Sequence, residues 1–296
     1  MLLIPMIDPQ HQSRRTESEA NESSLRAQVE HHNTRINSRL ANEIVLALPI
    51  ELTSDQNIDL VRQFVSDKLT SRGLVADWSY HAVPENPHVH IMVQTRPLAE
   101  NGFGPVMKPV LDNEGNISRD KNGKLQYSLF GISKLDLPGI REAWANVQNH
   151  HLAMHGHDVR VDHRSYEEQG IALVPTTHIG VGANAIAANG GQSDRIERNN
   201  EVQSINRQAV LDNPEIILDK ITAQKSVFND RDIAREVFKY TDNRADYQSV
   251  ILRIGASDNL IALAAPVYDP VSDKEITPAT YTTRAVFENE YSILEN

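Results

Sequence analysis

The chain has 296 residues, 40% hydrophobic and 23% charged, with 40 acidic against 29 basic side chains and a formal net charge of −11. That composition suits a soluble chain of two modest domains; it excludes a mostly disordered protein and, with no long apolar run, membrane insertion by a helix. The acidic balance, which neither half escapes when the chain is divided at Gly180, argues against a general nucleic-acid coat, because neutralising phosphate takes an excess of Lys and Arg.

Cysteine is absent, which removes disulfides, thiolate metal sites and a cysteine nucleophile. The opening MLLIPMI has no basic flank and no small-residue cleavage site, so it does not read as a signal peptide, and the expected compartment is the cytoplasm.

Residues 1–34 read as a polar arm, with a mostly polar helix expected over 16–33. The first clear strand is Glu43 to Leu48, stopped by Pro49. Thr53 and Gln56 form the ends of a capping box that opens a helix. Its Ile58, Val61, Val65 and Leu69 follow the 3.6-residue period up to Gly73. Strands are expected at about 75–83 and 89–95. The turn-rich stretch 98–137 carries DNEGN and DKNGK, which mark an exposed hairpin. A helix is expected from near Pro138 to Gly156, burying Ile140, Trp144 and Val147, then a short strand running into a capped turn at Ser165. The small, flexible composition after Val181 places a linker at 181–205. Three helices near 214–224, 230–240 and 244–256, then strands near 259–268 and 277–283, suggest a winged-helix-like module over 206–296. No GxxxxGK motif occurs, so the chain holds no P-loop motor.

The chemistry concentrates in three histidines. In NPHVHIMVQT, His88 and His90 share one face by the period-2 rule, and Val89, Ile91 and Val93 take the other. In VADWSYHAV, His81 shares its face with Asp77 and Ser79, opposite Trp78 and Tyr80. Two such strands joined by a short turn would bring three imidazoles within reach of one ion, with coordination positions left open. Glu43, beginning the earlier strand, could orient one ring; the bland alternative is a solvated strand start. A lone HxH is more often surface histidine, and it is the third histidine with the matched apolar faces that favours a metal. His151 and His155, at i, i+4 spacing, read as structural, since His151 continues the Trp144 stripe and His155 lies in the last helical turn. His163 and His178 fall in turns and also read as structural.

The segment HAVPENPHVHIMVQTRPL resembles the histidine motif of the MobA/MobL conjugative relaxases, as do ANEIVLALPIEL, REAWANVQNHHLAMHGHDVRVDHRSYEEQGI and PTTHIG. The resemblance is nearest to the Ti-type conjugative-transfer branch and spans roughly residues 30–182. It implies an α+β fold: an HUH relaxase-like antiparallel sheet with helices over 35–180, followed by the winged-helix-like module. It implies metal ligation by His81, His88 and His90, support from Glu43, and Mn²⁺ or Mg²⁺ as cofactor. The family reaction nicks single-stranded DNA at a transfer origin through a tyrosine. Here no tyrosine precedes Tyr80, and Tyr80, Tyr127 and Tyr166 do not match the family's nucleophile segment. The relaxase-like part therefore reads as lacking its first strand and nucleophile helix, with impaired activity alone. Expected partners are origin DNA, other relaxosome proteins and a separately encoded N-terminal fragment. Two alternatives remain: a non-catalytic single-stranded-DNA accessory protein, and a histidine-metal hydrolase of small phosphoesters.

Overall fold

In the computed structural model, residues 38–99, 102–179 and 193–294 are described. The helix expected over 16–33 and residues 181–192 of the expected linker lie outside them. The fold is α+β, with antiparallel sheets and seven helices among the described residues. It divides into two units, Met1–His155 and Gly156–Asn296.

The first unit is built on β1 (Ala41–Ala47), β2 (Leu74–His81) and β3 (His88–Ala99). They pair in the order β1-β3-β2, with the short β4 (Gly102–Phe103) added on the far end of β3. The central strand shows why a sheet forms here. Val89, Ile91 and Val93 are fully buried while Met92 is exposed, the alternation of a sheet with one covered face. The cover is two helices, α1 (Ser54–Lys68) and α2 (Leu137–Met154). Helix α1 starts at the expected capping box: Thr53 Oγ1 accepts from Gln56 N–H, and Gln56 Oε1 accepts from Thr53 N–H at 2.8 Å. Its Leu60, Val61 and Phe64 are fully buried. Helix α2 presents Ile140, Trp144, Val147 and His151 inward, and Trp144 Nε1 donates to the carbonyl of Ala47 at 3.2 Å, tying the helix to the end of β1. Buried Asn57 holds the β1–α1 loop by donating to the carbonyls of Pro49 and Leu52.

The stretch expected as one hairpin is a stem carrying two tight turns. The stem pairs β5 (Met107–Pro109) with β6 (Tyr127–Leu129). Beyond it the chain pairs Leu111 with Ile117 and then Arg119 with Leu125. Each turn begins with an aspartate, Asp112 or Asp120, whose carboxylate accepts two main-chain N–H groups. Each also contains a glycine at positive φ, Gly115 at 85° and Gly123 at 79°. The two Asp/Gly signals are thus two separate reversals.

The second unit corrects three expectations. No strand forms around 159–161; Arg160 makes a single main-chain bond to Gln224 O, because no neighbouring strand is there to extend it into a ladder. Residues 194–205, expected in the linker, belong to helix α3 (Asp194–Asp212). That helix is polar, which disguised it, yet Asn199 and Asn206 are buried and each pairs with both main-chain groups of an extended residue, Thr177 and Val174. Finally, Ile171 and Leu173, expected within the first domain, pack with Val210, Ile217, Phe228 and Val250 in the second unit's core.

The remaining elements are α4 (Glu215–Thr222), β7 (Phe228–Asn229), α5 (Asp230–Phe238), α6 (Arg244–Gly255), β8 (Leu260–Ala264), β9 (Val267–Tyr268), β10 (Glu275–Thr277), β11 (Thr280–Thr283) and α7 (Arg284–Leu294). Strands β7, β11 and β8 form one sheet in that order, and β9 and β10 form a separate ribbon between β8 and β11. This helix–strand–helix–helix–strand–ribbon–strand order is winged-helix-like. In its interior, Lys220 pairs with Glu236 at 2.6 Å.

Candidate metal centre

Cross-strand register creates the site. On β2 and β3, His81 lies opposite His88 and Ser79 opposite His90; on β1 and β3, Val45 lies opposite His90. Cross-strand partners project to the same face, so His81, His88 and His90 stand together on the side of the sheet away from α1 and α2. Ring centroids are 4.8–5.2 Å apart, and one nitrogen from each ring lies within 4.8 Å of the others. His81 is exposed, and His88 and His90 are half-buried. Exposed Asp77, Glu43, Val45 and Met92 surround them on the same face.

Two of the rings are held from behind. Glu43 Oε1 accepts from His90 Nδ1 at 2.7 Å, reaching diagonally from β1. The main-chain carbonyl of Asn86 accepts from His88 Nδ1 at 2.9 Å. A carbonyl and a carboxylate can only accept, so both rings carry their proton on Nδ1 and direct the Nε2 lone pair elsewhere. The residues therefore fit a divalent cation: three imidazoles from two adjacent strands, two of them with the tautomer already set, on an open face that leaves room for further ligands. Asn86 is the participant the sequence reading overlooks, because a main-chain carbonyl carries no residue-type signal.

The other histidines are placed differently. His151 is 4% exposed, with Nε2 2.9 Å from Gln63 Oε1 and Nδ1 buried without a partner. Burial first, and then neighbouring His150 and His155, hold it below the ordinary imidazole value. His155 Nδ1 meets Gln56 Nε2 at 3.0 Å just past the end of α2. His163 and His178 are exposed in the second unit, outside any helix or strand. Tyr80 belongs to the opposite face of β2, where its hydroxyl bonds Ser54 Oγ at 3.3 Å. Tyr127 is in the stem of the two-turn arm, and Tyr166 packs against the second core.

The depressed His151 has a consequence for stability. Protonation would place a hydrogen on Nδ1, where no acceptor waits. The unfolded chain takes up that proton more readily, so the stability from neutral His151 is complete above about pH 6.5 and is lost as pH falls through the folded value. Thermal melts between pH 7.5 and 5.5 should show a fall in the first unit's midpoint that is shallower in His151→Leu. Equal slopes in the two proteins would disprove it.

Fold and site together define an α+β protein with a histidine cluster on the open face of a helix-backed antiparallel sheet. Comparison with known proteins gives the family. The MobA/MobL family model matches residues 3–189, and the chain belongs to that family. It is 42% identical over 268 residues to the conjugal transfer protein TraA of Agrobacterium fabrum, covering 88% of this chain and 24% of that protein. It is 33% identical over 202 residues to the probable mobilization protein MobA of Bifidobacterium longum, covering 60% and 35%. A solved structure described as the molecular basis of vancomycin resistance transfer in Staphylococcus aureus is 29% identical, with a TM-score of 0.39, covering 55% of this chain and 74% of its own. The chain spans about a quarter of the length of the TraA relative. No helix among the described residues is long and apolar enough to cross a membrane.

Proposed function

We propose that the chain acts in conjugative or mobilisation DNA transfer as a relaxase-derived protein, binding a divalent cation and single-stranded origin DNA on one face of its first sheet. The observation that carries this reading is the cluster of His81, His88 and His90, with Glu43 behind His90, in a chain of the MobA/MobL family. A bound cation would polarise a phosphate oxygen and stabilise charge developing at the scissile phosphodiester. Imidazole donors favour Mn²⁺ over Mg²⁺.

The protein's own groups do the rest. Glu43 and Asn86 keep His90 and His88 oriented. Glu43 and Asp77 make the face acidic, so phosphate approach depends on the cation. Exposed Val45 and Met92 offer apolar surface to the nucleobases. We assign the attacking hydroxyl to a tyrosine, in cis or supplied by a separate fragment. Tyr80 faces the other way, and this also favours a second reading, a non-catalytic single-stranded-DNA accessory protein.

The test is fluorescence anisotropy with single-stranded origin oligonucleotides, with and without Mn²⁺, alongside denaturing gels for a covalent adduct. Cation-dependent binding is expected, with an adduct only when a tyrosine-bearing segment is added. Binding without an adduct even then selects the accessory reading. Absence of cation-dependent DNA binding overturns both.

A further inference from the structure

The six residues joining β2 to β3, Ala82-Val83-Pro84-Glu85-Asn86-Pro87, connect two of the three histidines. Glu85 sits at φ +62°, one of only two non-glycine residues with positive φ among those described. That is uncommon for a residue with a long side chain, and it persists only where the surroundings over-determine it. The surroundings here do so. Asn86 N–H bonds the carbonyl of Val83 at 3.1 Å, closing the turn. Pro87 is buried, and its carbonyl accepts from Leu48 N–H at 2.9 Å, anchoring the turn to the end of β1. Proline at 87 also restricts Asn86, the residue before it, to extended conformations. The side chain that uses the resulting carbonyl direction is His88, whose Nδ1 lies 2.9 Å from Asn86 O.

We propose that this turn is a tautomer lock: the left-handed Glu85 aims the Asn86 carbonyl at His88 Nδ1 and so holds the His88 Nε2 lone pair toward the cluster. Glu85 and Asn86 are positioning residues. They do for His88, with a neutral main-chain acceptor, what Glu43 does for His90 with a carboxylate. The inference rests on the reading of the triad as a cation site, and it predicts that cation affinity depends on a residue that is not a ligand and whose side chain is exposed.

The test uses the full chain. In the metal-free, ¹⁵N-labelled protein at pH 8, long-range ¹H–¹⁵N correlation reports each histidine tautomer, with His88 assigned by its disappearance in His88→Gln. The wild type and Glu85→Gly, which adopts positive φ without strain, should show His88 with the proton on Nδ1. Glu85→Val, whose branched side chain resists positive φ, should release His88 to the Nε2–H form. Its Mn²⁺ affinity by calorimetry should fall about 10-fold or more, while Glu85→Gly stays within about 2-fold of the wild type. A wild-type His88 protonated on Nε2 overturns the lock, whether or not any variant folds. So does a folded Glu85→Val with unchanged tautomer and affinity. A tautomer that follows the turn in a protein binding no Mn²⁺ would support the lock and overturn the cation reading instead.

Discussion

His88→Ala is expected to lower Mn²⁺ affinity by at least about 100-fold, the upper end of what losing even a supporting partner of a metal ligand costs. His88 is the member that belongs to both halves of the arrangement. It lies directly opposite His81 in the ladder, and it shares its strand face with His90, two residues on. Removing it leaves two imidazoles from different strands, without the ring that bridges them. Glu43→Gln should be milder, about 10-fold, because the amide still offers an oxygen to His90 Nδ1 but gives up the charge that raises ligand basicity. The fold should survive both changes, since His88 is only half-buried and Glu43 is exposed. Calorimetry on the two variants, with circular dichroism as the folding control, reads the ranking. Unchanged affinity in a folded His88→Ala would remove the triad from the protein's chemistry.

Phe64→Ala is expected to be the most damaging single change to the first unit. Phe64 is fully buried on α1 and meets Trp144 of α2 edge-on, with ring centroids 4.9 Å apart and planes at 78°. Trp144 in turn holds the carbonyl at the end of β1, so the aromatic pair links both helices to the strand that carries Glu43. Truncating a buried Phe costs about 3–5 kcal/mol, a large share of a total stability of about 5–15 kcal/mol. For a domain of this size that corresponds to a fall of about 6–20 °C in the first unit's midpoint. The triad lies on the other face of the sheet and touches neither ring, so Mn²⁺ affinity at low temperature, where the variant remains folded, should change little. A midpoint shift of less than about 2 °C would mean that the two helices are not held as the structure places them.

Together the two substitutions separate what the two sheet faces do. One variant loses the ligand and keeps the fold; the other weakens the fold and keeps the ligand set. Reversal of that pattern would mean that the histidines are structural.

Features that depend on near neighbours could be read directly from the order of residues. Alternation along β3 assigned His88 and His90 to one face and Val89, Ile91 and Val93 to the other. The Thr53–Gln56 box started α1, and the spacing of Ile140, Trp144 and Val147 put His151 in the core. These are consequences of fixed backbone periods, which any short stretch of chain displays. Tertiary structure alone decided what depends on register and on main-chain groups. That His81 faces His88 follows from how β2 and β3 slide together. That Glu43 reaches His90, 47 positions away, follows from β1 pairing on the other edge of β3. The polar run over 194–205 resembled a linker because its buried contacts are asparagine side chains bonded to a distant extended segment, which leaves no apolar stripe to read. Asn86 was invisible for a related reason: its contribution is a carbonyl that every residue possesses, made useful only by the direction the folded turn imposes on it.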